Sequence, residues 1–541
     1  MPSSPSKLTR FWQELKRRRV IHVVTVYASA AFVVIELVNN LTEPLNLPPG
    51  LATIVVIVLA VGFPLAIVLS WLYDLTGEGF ERTRPMDEIE EEKVAKVPNA
   101  WKFATYVSFV VIVGLITFNI IGGPRELKAG DIQSLAILPF DNFTGDDQLD
   151  YFVSGMHASL IGDMGKVGGL RVIGKTSSNA YKGTGKSAPE IASELKVDVL
   201  VEPTVMCLGD SICVQIRLIT PFPEEKEIWV ADYKEEKSQI LNLYNRITMQ
   251  IAEEVKIQLT PEEERLLGKT ISVDAEAYNA YLLGHYYWDD LSPESLYKAM
   301  DYLNEAIEND PGWAAPYAGM AQVWVGLAQM GLESPDIAGP KIFENIQKAL
   351  DLDPDFADSH FISGIIAVWT EWNWEKGEKE FLHALSINPN DAMSRIYYAH
   401  LLMILQRTDE SVSQGKRAVE LDPMNPLIQA LYGVVLSSAG DWEGALKATE
   451  KSLTLDPDNF FAYSVMEVIA FHFGMSDRAL EAAQVYLQYD NNTMQGIQKI
   501  SDEKGLVAAY EEILHLLELQ SQSSFVSPVD MAMRYNFVHA Y

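Results

Sequence analysis

The residue types and spacings in this 541-residue chain that suggest chemistry are a pair of cysteines, a glycine–lysine–serine run and a carboxylate within an apolar stretch. Cys207 and Cys213 flank the turn formers Gly209-Asp210, which places them on facing strands close enough for a disulfide. The alternative is two small unpaired hydrophobes. With no other cysteine, a disulfide-built scaffold, a four-cysteine zinc site and an all-cysteine iron–sulfur cluster are excluded. Gly183-Thr184-Gly185-Lys186-Ser187 has the GKS ending of a phosphate-cradling loop. The first glycine of that motif would fall on Ala180, and no strand runs directly into the loop, so a surface turn is the expectation. Glu36 lies within an apolar run, where a carboxylate is a functional candidate by default. It is also near the end of that run, from which it reaches an interface.

Catalysis has no further support. There is no HExxH, no GxSxG and no glycine-rich dinucleotide loop, and the nine histidines show no metal spacing. Acidic pairs such as Asp289-Asp290 read as solvated helix surface, so the chain is expected to be non-catalytic, without cofactor or metal. Lys and Arg number 42 against 74 Asp and Glu, a net charge of -32. Such a surface repels phosphate backbones and argues against nucleic acid as a partner.

Three apolar stretches, 20–41, 51–73 and 103–121, are each near the length a helix needs to cross a bilayer, about 20 residues. Basic residues crowd the flank before Val20 (Lys16, Arg17, Arg18, Arg19) and the loop before the third stretch (Arg82, Arg84, Lys93, Lys96). The positive-inside rule then predicts a multi-pass protein of a bacterial inner membrane, its N-terminus cytoplasmic and everything after Gly122 periplasmic.

Beyond Ile132 short β-type runs alternate with helical ones. Leu135–Phe140, Leu170–Ile173 and Val197–Val205 read as strands, Asp150–Met164 and Ala188–Leu195 as helices. A hairpin through Ile212–Leu218, a strand near Ile228–Tyr233 and a helix over Ser238–Leu259, ended by Pro261, complete a small α/β domain.

From Ala275 the chain is helical and periodic. Pro311, Pro354, Pro389, Pro423 and Pro457 close successive units, the later intervals being 35, 34 and 34 residues, and Gly331–Pro340 reads as a loop insertion. That period is the tetratricopeptide (TPR) signature, with small residues where paired helices approach: Gly284, Ala321, Gly364, Ala399 and Gly433 on first helices, Ala306, Ala349, Ala384 and Ala418 on second helices. A sixth pair, from Phe460, carries Glu467 in place of the small residue and reads as a cap. By register the concave wall carries Gln322, Val325, Phe361, Ile365, Trp369, Ile396, His400 and Met403. These form a groove for an apolar strand or amphipathic helix of a protein partner, or pack between hairpins, or are covered by the chain's own tail.

The segments LAILPFDNFTGDDQLDYFVSGM (135–156), LRVIGKTSSNAYKG (170–183), EIASELKVDVLVEPTV (190–205) and IRLI (216–219) resemble the TolB-type amino-terminal domain, also called FlgO-like. FWQELKRRRVIHVVTVYASAAFVVIEL (11–37), GFPLAIVLSWLYDLTGEGF (62–80) and YNAYLLGHYYWDDLSPESLYKAMDYLNEAI (278–307) resemble bacterial membrane proteins that join such a domain to TPR repeats. The resemblance implies an extracytoplasmic interaction or sensing domain without assigned chemistry. Relatives often carry a cyclase or winged-helix domain ahead of the membrane segment; only 19 residues precede Val20, so neither activity is expected to carry over.

The expected architecture is thus a membrane module of three transmembrane helices over 1–123, a small α/β domain over 131–262, an all-α TPR superhelix over 275–490 and a C-terminal helix and tail over 491–541. The expected function is a membrane-anchored periplasmic scaffold that binds proteins or peptides through the TPR groove and the lipid bilayer through its three helices. The alternative is a transmembrane signal receptor whose periplasmic ligand binds the TolB-like domain.

Overall fold

The computed structural model describes residues 51–76, 79–82 and 132–539, apart from short breaks at 147–148, 209–210, 223–224, 289–291, 331 and 524–525, together with Tyr27 and Ala31. Contacts divide the chain into two units, Met1–Gly123 and Pro124–Tyr541.

In the first unit, helix α1 (Leu51–Leu72) carries Pro64 in its interior and gives way at once to an antiparallel hairpin, β1 (Tyr73–Thr76) with β2 (Gly79–Arg82). Among the described residues no helix is long and apolar enough to cross a membrane. This finding overturns the expected three transmembrane helices and, with them, the multi-pass inner-membrane location, the periplasmic placement of the later domains and the bilayer as a partner. A count of apolar residues does not by itself establish a crossing: α1 runs unbroken through Pro64 but passes straight into the β1–β2 hairpin, whose strands carry Asp74, Glu81 and Arg82. The stretches 20–41 and 103–121, Glu36 included, lie outside the described residues except for Tyr27 and Ala31.

The second unit begins with a mixed sheet in the order β5-β3-β6-β7-β8, with β4 pairing beside β6. Strand β3 (Ser134–Ile137) is buried at every position and runs parallel to β5 (Arg171–Val172) and β6 (Val199–Leu208), as expected of a strand covered on both faces. β4 (Asp141–Asn142) is also parallel to β6. β7 (Ser211–Thr220) is antiparallel to β6 and alternates, with Ile212, Val214, Ile216 and Leu218 fully buried. β8 (Lys226–Glu236) closes the edge with charged side chains, which discourage pairing with another chain. Helices α2 (Asp150–Gly165) and α5 (Ile240–Glu254) cover one face, joining Phe152, Met156, Leu160, Leu243, Ile247 and Ile251 to the β7 row in one core. Each such side chain contributes roughly 1.5–3 kcal/mol on burial. The short α3 (Lys175–Asn179) follows β5, and α4 (Ala188–Leu195) packs Ile191 and Leu195 against Ala136 and Leu200 on the opposite face.

Pro261 does not simply end the preceding helix. It sits at the first position of a new one, α6 (Pro261–Leu267), where its missing N–H costs nothing and Thr260 and Glu263 form a reciprocal cap.

Six antiparallel helix pairs follow: α7 (Ala275–Trp288) with α8 (Pro293–Asn309), α9 (Ala314–Gln329) with α10 (Pro335–Leu352), α11 (Ala357–Trp369) with α12 (Trp374–Ile387), α13 (Ala392–Ile404) with α14 (Thr408–Leu421), α15 (Pro426–Ser438) with α16 (Trp442–Leu455), and α17 (Phe460–His472) with α18 (Ser476–Leu487). The close-contact positions act as their types require. A Cβ on Gly364 would lie 2.7 Å from the Phe381 ring on the partner helix, so only glycine lets these two helices approach. The stretch read as a loop insertion instead lengthens a helix: α10 starts at Pro335, and Pro340 is tolerated because it interrupts only the first turns.

Helices α19 (Asn491–Lys504), α20 (Leu506–Ser521) and α21 (Pro528–His539) complete the chain. Phe537 stacks on Phe471 at 4.2 Å, and fully buried Arg534 donates to fully buried Glu467 at 2.5 Å. The residue that made the sixth pair look degenerate is therefore the anchor of the last helix.

Candidate functional site

The loops that join one repeat to the next are the floor on which the α/β domain rests. The second helices of the first five pairs end on Asp or Asn, and the short side chains of Asp310, Asp353, Asn388 and Asp456 accept from the backbone N–H two residues on. At the junction after α10 this polar turn holds the segment that leaves the α/β domain, and at the next two it reaches the domain itself. After α10, Asp353 and Asp355 hold Lys269 at 2.8 and 2.7 Å, and Asp355 takes Arg265 at 2.9 Å. The two cations hold the Asp355 carboxyl well below the usual range.

After α12, buried Asn390 accepts from the Val172 N–H at 3.1 Å and donates to the carbonyls of Gly165 and Val167. Its amide stands in for a missing strand partner at the sheet edge. After α14, Asp422 accepts from the Ser177 N–H at 2.8 Å and its hydroxyl at 2.5 Å, while the Leu421 carbonyl accepts from the Gly174 N–H. A Cβ on Gly174 would stand 2.7 Å from Asp422, so glycine is what permits this approach. Burial pushes the Asp422 carboxyl up despite its hydrogen bonds to Ser177.

Between these supports a cavity of about 750 Å3 opens, lined by α2, α5, α7, the 269–271 linker and the loops leading into α9 and α11. One wall is aromatic: Tyr281 lies 4.7 Å from Trp313 and 4.5 Å from His285, and Tyr278 lies 5.9 Å from Trp313. Tyr278 is fixed by its hydroxyl contact with Tyr244 at 3.0 Å. Asp358, in the first turn of α11, lines the cavity with neither a hydrogen bond nor an ion pair among the described residues.

The residues expected to form a groove are not all gathered on one surface. Ile396 is fully buried, Phe361 and Ile365 are 9% exposed, and His400 spends its ring nitrogen on the Leu431 carbonyl at 2.9 Å. Gln322, Val325 and Met403 are half-buried, and Trp369 stands out at 40% exposure. Near Trp369 the hairpin tips add Trp372 and Trp374, and the neighbouring repeat exposes Met330, Leu332 and Ile337. Cys207 and Cys213 are registered opposite one another on β6 and β7 and joined by a disulfide. The GKS segment is a turn: Gly183 and Gly185 have φ of 70° and 66°, Lys186 pairs with Glu194 at 2.6 Å, and Ser187 caps α4. Among the described residues no group of three His, Cys, Asp or Glu could hold a metal ion.

The repeat junctions and the cavity escaped the sequence because a polar residue before proline reads as a helix stop, and its second contact depends on a partner 84 to 245 residues away. A signal was available in Gly174, a glycine after a strand with no turn of its own to explain it.

The stacked helix pairs at this period form an all-helical repeat superhelix of the tetratricopeptide kind, with an α/β domain seated on its repeat junctions. No model of a known protein family matches the chain. A protein of Rhizobium meliloti (strain 1021) named as an adenylate cyclase is 28% identical over 248 residues, which cover 46% of this chain and 42% of that protein. The chain thus spans less than half of that relative. The transcriptional regulator HilA of Salmonella typhimurium is 22% identical over 419 residues, 69% of this chain and 71% of the regulator. Among solved structures, YrrB, a TPR protein with an unusual peptide-binding site, aligns with 34% of this chain and 90% of its own at 23% identity and a TM-score of 0.23. At that score the likeness carries no functional argument.

Proposed function

We propose that the chain is a non-catalytic interaction scaffold that captures a protein partner on the apolar hairpin tips of its second and third repeats. The observation behind this is the set of exposed aromatic and aliphatic side chains at these tips: Trp372 at 73%, with Trp369 and Trp374 on the same repeat and Met330 and Ile337 on the preceding one. Large apolar groups grouped on a polar, anionic protein mark contact surfaces, and tryptophan anchors carry much of the binding energy in such interfaces. The α/β domain, of the TolB-type amino-terminal kind by its resemblance, stiffens the array by bridging consecutive junctions. The division into an α/β domain over 131–262, repeats over 275–490 and a C-terminal segment over 491–541 is part of the same proposal. Trp372→Asp places a charge on the most exposed of these tip side chains without touching the seam. Affinity capture with the full chain is expected to lose its specific partner in this variant while thermal unfolding is unchanged; equal recovery from both proteins would reject the tips as the binding surface.

A further inference from the structure

We propose that the last helix, α21, is a displaceable ligand of a groove formed by α17, α18 and α20, and that this groove binds an amphipathic helix of a partner protein, one that presents an arginine and, three residues on, an aromatic ring. This surface is separate from the hairpin tips, and the proposal does not rest on them. α21 is seated by one face. Asp530, Met531, Arg534, Phe537 and Val538 turn inward at the spacing of a helix laid in a groove, while Val529 and Tyr535 on the other side are exposed. Of the helix's own side chains only Arg534 and Phe537 are buried, so two anchors carry the docking.

The groove holds a complementary site for each anchor. The Phe537 ring stacks on Phe471 of α17 at 4.2 Å and meets Tyr510 of α20 edge-on at 5.0 Å. Arg534 donates through Nη2 to Glu467 of α17 at 2.5 Å, and its guanidinium lies 5.4 Å from the centre of the Tyr486 ring of α18. Tyr486 in turn donates to Asp530 at 2.9 Å. Glu467 selects the ligand, because a fully enclosed carboxylate is stable only opposite a cation that also hydrogen-bonds to it. Two observations make the seat reversible. The fit is incomplete: Glu467 Oε1, Arg534 Nε and the Tyr489 hydroxyl are buried without a hydrogen-bond partner, which weakens the docking and leaves room for a ligand that satisfies them. The connection from α20 to α21 is short and carries Ser523, Ser524 and Ser527, so α21 can leave while α20 keeps its place in the stack.

The probe is a fluorescent synthetic peptide of residues 526–541, titrated by anisotropy into the full chain and into full-length Arg534→Ala and Phe537→Ala. Either substitution loosens α21, so both variants are expected to bind the peptide about tenfold or more tightly than the wild-type chain, in which the tethered helix competes. A peptide carrying Arg534→Ala should lose about tenfold in affinity for the same variants. In the wild-type chain, excess isotope-labelled peptide should quicken hydrogen exchange in 528–539 and leave α7 to α16 unchanged, and thermal unfolding checks that the repeats of both variants are folded. Equal affinity of the wild-type chain and the variants, no binding to either folded variant, or α21 exchanging only when the whole repeat array unfolds would each overturn the proposal. So would a wild-type dimer in sedimentation that dissociates in Arg534→Ala, because the groove would then belong to the α21 of a second copy.

Discussion

His157 on α2 is fully enclosed and contacts the Ile137 carbonyl through Nε2 at 2.8 Å, and burial drives its pKa down to about 4. The unfolded chain takes up this proton near pH 6.5 and the folded chain only near 4, so stability is complete above 6.5 and falls as pH drops through that window. The loss approaches about 3 kcal/mol by pH 4. His157→Gln should flatten the unfolding-temperature profile between pH 7 and pH 4.5, whereas an unchanged slope would place the acid sensitivity elsewhere. Glu467 and Arg534 show the same economy of burial at the other end of the molecule. Both are fully buried, and removing one partner strands the other charge, so Glu467→Ala should destabilise the C-terminal helices by about 3–5 kcal/mol, measured by denaturant unfolding. Glu467 was visible in sequence as a large residue at a small-residue position. Its partner, 67 residues on, was not, since a buried ion pair leaves no periodic trace.

At the scale of elements, the features with a fixed local period were legible. The repeat spacing, the small residues at helix contacts and the hairpin that brings Cys207 opposite Cys213 all follow from short-range geometry. The extra residues before Pro340 were read as a loop because their 43-residue interval exceeds the repeat period, whereas α10 starts at Pro335 and passes Pro340 at the loss of one ladder hydrogen bond. The three expected transmembrane helices rested on apolar composition alone; of the three stretches only 51–72 is described, as a helix that runs through Pro64, and among the described residues no helix is long and apolar enough to cross a membrane. The seam between sheet and repeats was invisible because it is made by loop side chains. Its strength can be measured. Asp422→Ala leaves the Ser177 N–H and hydroxyl without their acceptor, at a cost of about 2–3 kcal/mol. Hydrogen exchange should then quicken in 172–180 and 420–426 together while α17 to α21 keep their protection; exchange confined to one side would mean that the two faces do not stabilise each other.

Across the whole second unit, the same junction residues that turn the chain from one repeat to the next also carry the α/β domain, so a short polar loop performs two tasks. This leaves the hairpin tips at Trp369, Trp372 and Trp374 as an exposed apolar surface on a protein of net charge -32. The most direct test of a scaffold that works through these tips is site-specific photo-crosslinking in intact cells, with the photoreactive side chain placed at Trp372 in the full chain and, as a control, at Lys499, a well-exposed charged position on α19. A discrete protein adduct at position 372, absent at 499 and lost when Trp369→Asp is added, is the outcome expected. Adducts of equal yield and identity from both positions would contradict it.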